Sequence, residues 1–273
     1  MISLPDRSAA PTGADAVKAC CADAYSSDVV ALLLGDSYHP GGAALTRRLA
    51  DRLALRGGER VLDVACGPGT TARLLAVEHS VIVDGIDLAE TTLSRARTAT
   101  DAAGLSDQVH FRVGDAEQIP FPDNTFGAVV CECALCLFPD KARAAAEFAR
   151  VLRPGGRVGI TDITVAGSGL PLELTGLAAH IACIADARPI EVYRDLLTAA
   201  GLRVTTAENH PAAVNAMIDH IQTRLALART IAPTRLAESG LDPTTAQQYL
   251  TAARRAVCDR LIGYILLIAE KPR

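Results

Sequence analysis

The chain has 273 residues, 49% of them hydrophobic and 21% charged, with a formal net charge of −4. That length buries a full core in one domain with room for an added lobe, and the composition excludes a disordered chain. The acidic balance and the absence of any basic stripe exclude the electrostatic footprint of a nucleic-acid binder. The N-terminus, M-I-S-L-P-D-R-S-A-A-P-T-G, lacks the basic start and apolar run of a secretion signal. Val29–Leu34 and Tyr264–Ala269 are far too short to span a bilayer. The expectation is therefore a cytoplasmic protein that engages neither nucleic acid nor membrane. Its eight cysteines read as thiols rather than as a disulfide framework.

Residues 1–13 carry Pro5, Pro11 and Gly13 and read as loose. Residues 14–35 follow a helical period, with Val17, Cys20, Cys21, Tyr25 and Val29 near one face. Pro40 and Gly41-Gly42 break that pattern in S-Y-H-P-G-G, and residues 43–55 form another amphipathic helix. Arg60–Val64 is a short buried strand. The turn 65–69 opens a helix carrying Thr70, Thr71, Leu74 and Leu75, and Val81–Ile86 is a second strand with Asp87 at its end. Thr91–Ala103 is a helix, Val109–Val113 a third strand and Phe126–Cys131 a fourth. A helix over Ala142–Leu152 stops at Pro154-Gly155-Gly156, before a fifth strand at Arg157–Asp162. Helices are then predicted at 171–185 and 190–200, a sixth strand at Leu202–Thr206, two or three helices within 211–262, and a last strand at Gly263–Glu270.

This alternation predicts an α/β fold. A Rossmann-like, seven-stranded, mostly parallel sheet carries helices on both faces, with N-terminal helices and a helical insertion before the last strand. The predicted units are an N-terminal helical cap (1–44), a core (45–210 and 263–273) and the insertion (211–262). The insertion caps a pocket or forms a homodimer interface.

Residues 61–70, V-L-D-V-A-C-G-P-G-T, end an apolar run in a glycine turn, and Asp87 follows about twenty positions later. Such a layout cradles a nucleoside-bearing cofactor. Ala72 stands at the third position of G-x-G-x-x-G, which admits Ala, so the glycines alone leave a dinucleotide open. Asp63 and the downstream residues point instead to S-adenosylmethionine (SAM). Gly67 and Gly69 let backbone approach the ligand. Asp63 reaches its amino-acid end, Asp87 accepts from the ribose hydroxyls, and Asp115 accepts from the adenine amino group beside the Ala116 N–H. Cys131 and Glu132 face the methyl donor, and Ala65 and Leu88 complete the candidate cofactor set.

V-L-D-V-A-C-G-P-G, V-D-G-I-D-L, the G-D-A step, P-F-P-D-N-T-F-G-A-V-V and R-V-L-R-P-G-G-R-V resemble the class I SAM-dependent methyltransferases. They are most similar to the branch typified by the ubiquinone/menaquinone-biosynthesis enzymes. The resemblance covers about residues 45–165. It implies the fold and the cofactor and leaves the methyl acceptor open.

Cysteines concentrate where an acceptor must sit: Cys131, Cys133 and Cys136 after the fourth strand, Cys183 in H-I-A-C-I-A-D-A, and Cys20-Cys21 in the N-terminal helix. Their convergence points to a soft, thiophilic acceptor. E-C-A-L-C-L-F-P-D-K and C-I-A-D-A resemble segments of the arsenite methyltransferases, with Glu132 in place of Asn and Asp186 in place of Gly. The resemblance implies Cys133 and Cys183 as thiols that hold As(III) as substrate, with Cys20 or Cys21 in place of that family's N-terminal cysteine. In-line attack by the metalloid lone pair would need no general base. The competing expectation is C- or O-methylation of a small apolar metabolite, of quinone or natural-product type, with the cysteines lining an apolar pocket. O-transfer normally wants a general base, and no His-Asp pairing stands out. A SAM or metal sensor without turnover is the third expectation. Cys66 and Cys131 are expected in packing, and Cys258 is expected to be structural. A zinc site at Cys133-x-x-Cys136 lacks a second ligand pair. His39 either contacts cofactor or acceptor or is solvated in its turn, and Tyr25 and Tyr38 either cover the SAM carboxylate or pack.

Overall fold

Seven runs rich in Val, Ile and Leu form one sheet: β1 (Arg60–Val64), β2 (Ile82–Asp87), β3 (Val109–Val113), β4 (Phe126–Glu132), β5 (Leu152–Val165), β6 (Arg203–Asn209) and β7 (Ile262–Glu270). The computed structural model describes residues 13–35, 37–167, 169–171, 174, 184, 186–231, 233–238 and 241–273. The strand order is β3-β2-β1-β4-β5-β7-β6. The strands β1 to β5 are parallel, and β7 is antiparallel to both β5 and β6. The chain builds outward from β1 through β2 to β3, then returns to place β4 on the other side of β1. That reversal is the switch point at which open α/β sheets bind ligands, beyond the carboxyl ends of the strands.

Helices cover both faces: α1 (Ala14–Ser26), α2 (Asp28–Leu34), α3 (Gly42–Leu53), α4 (Thr70–His79), α5 (Glu90–Ala102), α6 (Lys141–Val151), α7 (Ile190–Ala199), α8 (Pro211–Ile231), α9 (Pro233–Glu238) and α10 (Pro243–Cys258). Successive strand residues feed opposite cores, as the pleat requires. Val61, Val130, Tyr264 and Leu266 pack with Leu45, Leu49, Leu75, Ile218 and Val257 on one side. Leu62, Val129, Ile265 and Leu267 pack with Ala144, Phe148, Tyr193 and Leu197 on the other.

Two predicted elements differ from the structure, and a third lies mostly outside the described residues. The single helix over 14–35 is two helices, because the Ser27 hydroxyl accepts from the Val30 N–H at 3.4 Å and starts α2 afresh. The fifth strand begins at Leu152 rather than Arg157. A register shift between Phe126 and Ala128 takes up Pro154-Gly155-Gly156 within the ladder instead of in a turn. Of the helix predicted over 171–185, residues 171, 174 and 184 alone are described. The insertion packs into the shared core: Val214 and Ile218 of α8 and Leu250, Ala253 and Val257 of α10 join the cluster that contains Leu45 and Leu49 of α3. Among the described residues no helix is long and apolar enough to cross a membrane.

Candidate functional site

Beyond β1 the chain takes three left-handed steps, at Ala65 (φ 55°), Gly67 (φ 51°) and Gly69 (φ 72°). They fold the backbone into a cradle at the start of α4. The Gly67 N–H donates to Asp87 Oδ2 at 3.0 Å, and the Ala89 N–H donates to Oδ1 at 2.9 Å, which fixes the carboxylate at the tip of β2. A Cβ at Gly67 would meet the Tyr38 ring alone, at 3.9 Å, so this glycine faces open space. At Gly69 it would strike Phe111 Cζ at 2.4 Å and approach Ala96 Cβ at 3.2 Å. The two glycines therefore do different work. Gly67 frames a ligand site, whereas Gly69, expected beside the cofactor, admits the Phe111 ring into the core.

The cradle opens into a cleft of about 1120 Å³, mouth included, at the carboxyl ends of β1, β2 and β4. Of the predicted residues, Asp63, Ala65, Gly67, Asp87, Leu88, Asp115, Ala116, Glu132, Cys133 and Cys21 line it. Gly69, Cys131 and Cys20 do not. Cys131 is fully buried in the core beneath the opposite sheet face, and burial pushes its thiol well above the usual range. Cys20 is one helical step from Cys21 and so points elsewhere on α1. Cys183 lies outside the described residues. Cys66, expected in packing, is buried and also borders the cleft. Among the described residues no group of three or more His, Cys, Asp or Glu side chains could hold a metal ion. Tyr25, Tyr38, Ala134, Leu137 and Phe138 give the cleft apolar walls.

The floor is rich in carboxyl groups. Asp63 is 2% exposed, and its Oδ2 is buried with no hydrogen-bond partner. Burial first, then the neighbouring charges of Glu132 and Asp87, hold its carboxyl well above the usual carboxylate range, against a hydrogen bond from the Ala72 backbone. An orphaned buried acceptor at a cleft is stabilised by a cation. The ammonium and sulfonium of SAM would supply that charge, and burial likewise raises the carboxyl of Asp87 at the position expected to take its ribose hydroxyls. These residues fit the cofactor. Asp115 is more engaged than expected: its Oδ2 receives the Lys18 ammonium at 2.7 Å and its Oδ1 accepts from the Glu117 N–H at 2.9 Å.

At the carboxyl end of β4 the structure forms a constellation the sequence did not reveal. Glu132, 4% exposed in its side chain, lies 3.4 Å from Nε2 of His39. Its Oε2 accepts from Thr71 Oγ1 at 2.7 Å and Thr46 Oγ1 at 3.0 Å. Nδ1 of His39 sits 3.3 Å from the Pro40 carbonyl. Three separate elements, the 37–40 turn, α3 and the start of α4, thus converge on one carboxylate at the end of β4. The local signal was the histidine in S-Y-H-P-G-G; its partner is remote in the chain. Such a buried His–carboxylate pair beside an apolar cleft can accept a proton.

Residues 62–160 match the family described as "Methyltransferase domain". The 27-O-demethylrifamycin SV methyltransferase of Amycolatopsis mediterranei is 32% identical over 270 residues, spanning 92% of this chain and 95% of that protein. Methyltransferase GfsG of Streptomyces halstedii is 32% identical over 244 residues, spanning 87% and 83%. Among solved structures, that of the [4+2]-cyclase SpnF superposes with a TM-score of 0.75 and 26% identity, covering 92% of this chain and 95% of that one.

Proposed function

The chain belongs to the SAM-dependent methyltransferases, and from that premise we propose that it methylates a hydroxyl group on a small, apolar natural product, with the His39–Glu132 pair taking the proton. The observation that carries this is the pair itself, buried at the rim of a cleft with Tyr25, Tyr38, Leu137 and Phe138 in its walls. When bound, the cofactor supplies an electrophilic methyl on a sulfonium. As the acceptor oxygen forms its bond to that carbon and the carbon–sulfur bond breaks, the hydroxyl proton must leave. It goes to the His39 imidazole beside Glu132, with Thr46 and Thr71 fixing the carboxylate. Asp63 and the Gly67 turn bind and orient the amino-acid and nucleoside ends, and the apolar walls exclude water from the transfer. The 27-O-demethylrifamycin SV methyltransferase supports an oxygen acceptor on a natural product.

A thiophilic acceptor is the second reading, favoured by Cys21 and Cys133 lining the same cleft. One assay separates the two: methyl-labelled SAM with a panel of hydroxylated macrolactones, ansamycins and phenols, and in parallel with arsenite and a thiol. The expected result is label on an alcohol or phenol. His39→Asn and Glu132→Gln should each lower kcat by about 10²–10⁴-fold, while Cys133→Ser stays active. Label on arsenic, lost in Cys133→Ser and kept in His39→Asn, would replace the hydroxyl reading.

A further inference from the structure

One face of α1 forms part of the cleft: Lys18, Cys21, Ala22 and Tyr25 all line it, at the i, i+3, i+4, i+7 spacing of a single helical stripe. Lys18 is the charged member of that stripe, and it reaches across to two carboxylates on the opposite rim. It donates to Asp115 Oδ2 at 2.7 Å and also pairs with Glu117. All three side chains are largely buried, at 16%, 31% and 12% exposure. The receiving side is rigid. Glu117 Oε1 accepts from the Asp140 N–H at 2.8 Å, and Asp140 caps the N-terminus of α6 by accepting from the Arg143 N–H at 2.9 Å. Arg143 Nε in turn donates to the Glu117 carbonyl at 3.1 Å. One flank of the cleft is therefore a helix that Lys18 ties across to the other, and that other is a framework of backbone and cap hydrogen bonds. The lysine grips it at Asp115, next to Ala116 in the chain, at the end of the cleft where the cofactor's nucleoside is expected.

We propose that Lys18 is a retention latch for the cofactor: by bridging Asp115 and Glu117 it keeps α1 closed over the nucleoside end of the cleft, and the bridge must break for cofactor to enter or product cofactor to leave. The latch acts on the dissociation rate more than on chemistry, because it touches neither the acceptor side nor the His39–Glu132 pair. The flanking carboxylates raise the Lys18 ammonium above its ordinary range despite the opposing effect of burial, so the charge persists across neutral pH.

The test is stopped-flow release of S-adenosylhomocysteine from the full chain, with hydrogen exchange of residues 14–26 as a second readout. Lys18→Met should speed release about tenfold, the size expected from losing charge-assisted hydrogen bonds. Glu117→Gln should speed it less, and the double variant should be no faster than Lys18→Met, since both remove one bridge. Arg47→Met, which breaks the exposed pair with Glu78 away from the cleft, should change nothing. Exchange in α1 should quicken in the same order. Should Lys18→Met prove poorly folded, Glu117→Gln carries the test. Release within twofold of wild type in the folded variants, or additive effects in the double variant, would overturn the latch.

Discussion

Two glycines within five positions of the end of β1 are expected to respond in opposite ways to the same methyl group. Both have left-handed backbones, at φ 51° for Gly67 and φ 72° for Gly69, so replacement by alanine strains each by about 1 kcal/mol. The surroundings decide the rest. At Gly69 the new Cβ would sit 2.4 Å from Phe111 Cζ, a ring that also fills the side-chain space above Gly85 and lies close to Ala96 and Cys66 around it. Overpacking of this kind adds about 1–3 kcal/mol. Gly69→Ala should therefore lose roughly 2–4 kcal/mol in all, seen in urea unfolding as a lower midpoint at constant m. Its affinity for S-adenosylhomocysteine, measured by calorimetry below the unfolding transition, should change little. Gly67→Ala meets no atom nearer than 3.9 Å, so it should lose about 1 kcal/mol of stability. Its methyl projects into the cradle, however, and affinity should fall at least about tenfold. A Gly69→Ala protein as stable as wild type, or a Gly67→Ala protein that binds normally, would refute this division of roles.

Further outcomes follow from the buried charges. Asp63 holds its proton above the usual carboxylate range in the folded apoprotein, whereas the unfolded chain releases it first as pH rises. Apoprotein stability should thus fall as pH climbs from the ordinary carboxylate range toward the folded value. Asp63→Asn should remove that slope, raise apoprotein stability at neutral pH and weaken S-adenosylhomocysteine binding; thermal unfolding at a series of pH values checks it, and an unchanged slope counts against the assignment. Arg224 of α8 donates from Nε to the Leu32 carbonyl at 2.5 Å, and its guanidinium lies against Gly35 where α2 ends. Arg224→Leu should cost about 1–2 kcal/mol and quicken hydrogen exchange over residues 28–39; unchanged exchange would mean that α8 does not brace the turn bearing His39.

Local chemistry made most of the fold and the cofactor floor legible in the sequence. A strand period of two, a turn that needs left-handed residues and an acidic residue on the next strand tip are all written within about thirty residues. Each consequence follows from neighbours in the chain. Convergence is not local in that way. His39 belongs to a turn whose path depends on Gly41, where a Cβ would come within 2.7 Å of Leu45, and on α3 packing over the sheet. No spacing rule connects that turn with the end of β4.

The cysteines show how a single backbone angle defeats a pattern. Strict alternation along V-V-C-E-C would put Cys131 and Cys133 on the same face of the sheet and Glu132 on the other. The structure keeps Val129 and Cys131 in one core, and Val130 in the other, as alternation demands. The strand ends at Glu132, and Cys133 turns to φ 54° while its N–H donates to the Thr161 carbonyl at 2.6 Å. That left-handed step moves Cys133 into the core that holds Val130 and brings it to the cleft, away from Cys131. A cluster of sulfurs close in sequence is thereby divided between the two sides of the sheet. Glu132, by contrast, obeys the alternation. It shares the side of Val130, where α3 and α4 lie, so Thr46 and Thr71 meet it as the pleat requires. The same period that sends Cys131 into the core thus directs the neighbouring carboxylate to His39. Under the proposed hydroxyl transfer, chemistry at this strand tip accordingly depends on the residue between the cysteines more than on the cysteines themselves.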